Sequence, residues 1–127
     1  MGITNVDYRI KGKTIKRLTM GDGTLELRMQ NYKNQNCCAT IKGVNFKKST
    51  TLIFEEYPES LGDFHGEKTT FDDFVDESPT PDIMVTDVNY GIDKIIISGK
   101  KQEADVDKAF IMRIYYDDDI EFKALDK

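Results

Sequence analysis

Cys37 and Cys38 are the only cysteines and His65 the only histidine in the 127-residue chain, so nucleophilic catalysis has few candidates to draw on. A cysteine nucleophile needs a base to ionise it, and His65 lies in a distant acidic stretch. Adjacent cysteines cannot staple remote segments, and zinc sites require further ligands at a distance, so both are expected to be reduced thiols. With one histidine the common hydrolytic triads are almost excluded. The clustered acids raise two other chemistries. Carboxylate pairs serve glycosidases, but acids gathered in loops are ordinarily solvated. Asp117-Asp118-Asp119 and the run Asp72-Asp73 to Asp76-Glu77 could also ligate calcium, yet neither has the alternating oxygens, the glycine and the closing glutamate of an EF-hand loop. Gly21-Asp22-Gly23 lacks the lysine and the strand-to-helix setting of a phosphate cradle. It reads as a turn, as does Gly99-Lys100-Lys101. The expectation is a protein that is not an enzyme and carries no cofactor or metal.

Charge is the remaining candidate for function. The net charge is −5, but residues 1–54 carry +7, residues 55–87 carry −10 and residues 88–127 carry −2. Concentrated carboxylates repel one another, and a cationic partner relieves that repulsion. Tyr57, Phe64, Phe71 and Phe74 interleave with the acids, an arrangement of aromatic anchors within a charged rim that tight protein interfaces use. The segment from Glu55 to Asp87 is therefore expected to bind a protein with a basic surface, through Glu59, Asp63, Asp72, Asp73, Asp76, Glu77 and Asp82. Direct nucleic-acid binding is not expected, because a net-negative chain is repelled by phosphates. The basic residues near the N-terminus alternate along strands and read as a solvated sheet face.

The elements that must position these residues are mostly strands. Apolar residues recur at spacing two in Val6, Tyr8 and Ile10, in Ile15 to Met20, and in Leu25, Leu27 and Met29. The Asp22-Gly23 step is a hairpin signal. Asn31 to Asn36 is turn-rich, and Cys37, Ala39 and Ile41 resume the inward face. At Gly43 the parity shifts, which predicts a bulge before Val44 and Phe46. Thr50 to Glu56 has strand composition. The pattern breaks from Tyr57 to Pro81, where Thr70 and Asp73 resemble a capping box and Phe71, Phe74 and Val75 have helical spacing. Ser78-Pro79-Thr80-Pro81 ends that helix. Strands return at Ile83, Val85 and Val88, at Lys94 to Ser98, and at Ala109 to Tyr116, the last apolar enough to lie near the middle of the sheet. Ile120 to Phe122 is expected as a short closing edge strand after the aspartate run. No fixed-period repeat is expected. The sum is an all-β, mainly antiparallel fold, a sandwich or partly closed barrel of about seven to nine strands with one short helix.

Length and composition predict a single β-rich domain over residues 1–127. The N-terminus lacks the basic and apolar regions of a secretory signal, Val6 breaks a myristoylation motif, and the longest aliphatic run is Ile95-Ile96-Ile97. No membrane contact and a cytoplasmic location are expected. The strand-turn-strand of Ile15 to Met29, followed by Cys37 to Val44 with its Ile41-Lys42-Gly43-Val44 step, resembles small bacterial β-sandwich immunity proteins of polymorphic toxin systems. That resemblance implies a non-enzymatic protein that covers a toxin's active site, for example that of a nuclease with a basic cleft. Two other classes stay open: a structural or oligomeric β-domain of a phage or secretion assembly, and a small-ligand-binding β-barrel.

Overall fold

The computed structural model describes residues 10–53, 67–77, 80–103 and 106–126. The strands are β1 (Thr14–Met20), β2 (Thr24–Gln30), β3 (Asn36–Val44), β4 (Thr50–Ile53), β5 (Glu67–Thr69), β6 (Ile83–Tyr90), β7 (Lys94–Glu103) and β8 (Val106–Asp126), with helix α1 (Phe71–Glu77) between β5 and β6. All pairings are antiparallel. The sheet runs in the order β3-β2-β1-β6-β7-β8 and closes on itself because β8 also pairs with β3, while β4 and β5 branch from β8. The fold is thus a six-stranded ring, all-β as the alternation predicts.

Inward positions carry the aliphatics that the spacing selects. Leu25 and Leu27 of β2, Ala39 and Ile41 of β3, and Ile95 and Ile97 of β7 are all fully buried. Each large side chain so removed from water contributes about 1.5–3 kcal/mol of transfer free energy. At Gly43, with φ of 84°, the β3–β8 register slips between Lys42 and Val44, and Val44 turns into the core. On β8, Phe110, Ile111 and Met112 are consecutive and all buried. Phe110 and Met112 belong to the core cluster, whereas Ile111 lies outside it and points to the other face of the strand.

Four expectations need correction. Gly99-Lys100-Lys101 is not a turn but lies inside β7, with Gly99 and Lys100 paired to strands on both sides. Ile120 to Phe122 is not a separate edge strand: β8 runs 21 residues through the aspartate triplet, and its far end pairs with β3 to shut the ring. The aspartate run falls where the β3–β8 register slips, between the Lys42–Glu121 and Val44–Tyr116 pairs, so the strand continues past it. The three-residue β5 lay inside a segment read as non-β; it is too short to show a period. Finally, the chain does contain a repeat. The β1–β2 and β6–β7 hairpins correspond at a spacing of 70, as Gly21 against Gly91 shows. Gly21 N–H donates to Thr24 O and Gly91 N–H to Lys94 O, both at 2.7 Å. Each hairpin has a bulge at the same place, between Ile15 and Arg17 and between Val85 and Asp87. Thr14 pairs with its own counterpart Met84, and the Ile15–Ile83 pair is mirrored by Val85 N–H donating to Lys13 O at 2.9 Å. Equivalent positions meeting across a seam are the mark of a twofold relation. The expected strand Val6 to Ile10 lies outside the described residues except for Ile10, which is buried at a turn.

Candidate protein-binding surface

Helix α1 exists because Thr70 caps it and two phenylalanines anchor it. Asp73 N–H donates to Thr70 Oγ1 at 3.1 Å, and Phe74 N–H to Thr70 O at 2.9 Å. An N-cap hydroxyl of this kind satisfies an amide that the first turn leaves free. Phe71 and Phe74 are both buried. Phe71 meets Phe46 edge-on, with ring centroids 5.4 Å apart, and Phe74 lies 5.7 Å from Phe110 of β8. These two rings are therefore core residues and cannot be rim anchors of an interface. Tyr57 and Phe64, the other two proposed anchors, lie outside the described residues.

With its aromatic side inward, α1 turns Asp72, Asp73, Asp76 and Glu77 to solvent. Asp72 and Asp73 occupy the first turn, where the helix dipole favours negative charge; Asp76 and Glu77 fall in the last turn, which has no basic residue to offset its negative end. The second pair is thus held where local electrostatics disfavour it. Asp82 is exposed and adopts a φ of 51°, and its Oδ1 accepts from Lys16 Nζ at 2.6 Å. It is already partnered, though by a solvent-screened pair that is worth little. Glu59 and Asp63 lie outside the described residues.

Beside α1 runs a groove of about 610 Å³, walled by Lys16, Arg17 and Thr19 of β1 on one side and Asp72 and Asp76 on the other, with Leu18, Met20 and Val75 at its floor and rim. It forms because β1 pairs with β6 only at Thr14 and Ile15, leaving Lys16 to Met20 beside the helix. The two cysteines sit one after the other on β3 and so point to opposite faces, Cys37 buried and Cys38 half-buried. Burial first, and then the charge of Glu26, push the Cys38 thiol above its ordinary value. A thiol shifted this way stays protonated at neutral pH and is a poor nucleophile. Among the described residues no group of three or more His, Cys, Asp or Glu side chains is placed to hold a metal, and no helix is long and apolar enough to cross a membrane.

Alternation alone missed Lys16 and Arg17 as neighbours on one face. The signal was present: Ile15 and Leu18 are both apolar and three apart, which a regular strand cannot turn to the same side. Compared with family models, curated proteins and solved structures, the chain matches none.

Proposed function

We propose that this chain is a non-enzymatic protein-binding domain that docks a basic partner protein on the outer face of α1, acting in the cytoplasm as an immunity protein against a toxin with a basic cleft such as a nuclease. One observation carries the reading: Asp72, Asp73, Asp76 and Glu77 all face solvent on one anchored helix, two of them against the dipole. A cationic surface would relieve their repulsion, and complementary charge of this kind speeds encounter more than it deepens affinity.

The test is capture of the partner from the native host followed by association kinetics over a range of salt. Replacing the four acids together by lysine should slow association and flatten its salt dependence while the fold persists. Phe74→Ala serves as the contrast: it should lower stability by about 3–5 kcal/mol through the cavity it leaves. An unchanged rate and salt dependence in the lysine variant would reject the surface. The structural or oligomeric reading is favoured by a separate feature, since Ile92 is 100% exposed at the tip of the β6–β7 turn. A concentration-dependent oligomer that Ile92→Ser abolishes would support that reading instead. The small-ligand barrel draws no support from the ring, whose inward aliphatics are close-packed.

A further inference from the structure

On the outer face of the first hairpin, β1 and β2 set Arg17 directly opposite Arg28. Like charges opposed across a strand pair are destabilising. Nothing in the scaffold demands them, because the equivalent positions of the second hairpin oppose Asp87 and Ser98. The bulge concentrates the charge further. An extra residue between Ile15 and Arg17 lets Lys16 lie on the same side as Arg17 rather than on the opposite face. Burial agrees, since Ile15 and Leu18 are buried while Lys16 and Arg17 are not.

Two of the three cations are engaged. Lys16 pairs with Asp82, and Arg28 Nε–H donates to Glu26 Oε1 at 3.0 Å. Arg17 has no ion-pair partner among the described residues. All three line one groove of about 670 Å³ with Gln30 and Asn36 along it; Glu26 lines it too and holds the Nε edge of Arg28, which leaves the terminal N–H groups of that guanidinium to a ligand. This groove crosses the outer side of β1, β2 and β3 and is distinct from the one beside α1, although Lys16 and Arg17 contribute to both.

We infer that this groove binds a small ligand through an oxyanion, a carboxylate or phosphate group clamped between the guanidinium groups of Arg17 and Arg28 with Lys16 at its flank. A guanidinium offers a planar fork of N–H donors that matches such an anion, and two facing forks convert a repulsive pair into a site. The groove volume suits a small molecule rather than a bare ion alone. The site borders the groove beside the acidic helix, with which it shares Lys16 and Arg17, and takes a ligand of opposite charge to the partner proposed for that helix.

Inorganic phosphate and, in parallel, acetate are titrated into the full chain at constant ionic strength, following the arginine Nε–H resonances by NMR. Arg17 and Arg28 should shift saturably while Arg113 of β8 does not. Saturation by both anions assigns the group as a carboxylate or any similar oxyanion; saturation by phosphate alone assigns a phosphate ester. Arg17→Gln should weaken binding by about tenfold or more. Arg28→Lys, which keeps the charge and removes the fork, should weaken it too. Absence of a saturable shift with either anion would overturn the inference. So would an unchanged dissociation constant in both variants.

Discussion

Ser49 follows two lysines in what reads as a loop, yet its hydroxyl joins that loop to the longest strand. Ser49 Oγ donates to Asn45 O at 2.8 Å and accepts Tyr115 N–H at 3.0 Å, and Asn45 N–H donates to Tyr115 O at 2.7 Å. The turn from Asn45 to Ser49 thereby satisfies β8 at the point where β3 has ended and β4 has not begun. Ser49→Ala would leave the part-buried Tyr115 amide without this acceptor, a loss of about 1 kcal/mol. Urea unfolding should register that loss, and hydrogen exchange at the Tyr115 amide should quicken. No sequence pattern marks this serine, since its partner is 66 residues away. The α1 acids were legible, because Phe71 and Phe74 set the helical phase and the acids fall on the other side of it. The opposed arginines were not, because a strict period of two puts Lys16 and Arg17 on different faces.

At the level of elements, regular strands could be read from alternation, and the helix from its cap and its following prolines. What escaped were features defined by pairing rather than by composition, such as β5 and the continuity of β8 through the aspartate run. Gly99 shows how pairing constrains sequence. A Cβ built there would stand 2.6 Å from Met84 O and 2.7 Å from Ile83 Cγ2, where the bulged β6 crosses close to β7. Backbone cannot step aside as a side-chain tip can, so Gly99→Ala should destabilise by about 1–3 kcal/mol. Gly91→Ala is the control at the hairpin turn, where the nearest atoms, from 3.0 Å, belong to the Lys94 side chain. That flexible chain can swing away, and the urea midpoint should move far less.

For the molecule as a whole, the fold class was legible while the internal twofold was not. The two hairpins share turn bond and bulge position, but of the turn residues only the first glycine is common to both, Gly21 and Gly91. Geometry repeats where residue identity does not, so self-comparison of the sequence has little to detect. The ring closes along two seams of unequal extent. The β1–β6 seam has two register pairs, Thr14 with Met84 and Ile15 with Ile83, whereas β3–β8 runs from Cys37 with Asp126 to Val44 with Tyr116.

The longer seam also sets an order of events in time. Hairpins such as β1–β2 close over a few residues, but β3 meets the end of β8 only after most of the chain has been gathered in, and loop closure of that span costs entropy before any contact repays it. Closure therefore belongs after the rate-limiting barrier. Deleting residues 121–127 should leave the refolding arm of a chevron nearly unmoved and raise the unfolding arm, the behaviour of contacts absent from the transition state. An equal fall in the refolding rate would place the seam in the nucleus instead. The last strand pair to form would then act as a latch on the lifetime of the folded ring, governing how long it survives once made and hardly at all how fast it is made.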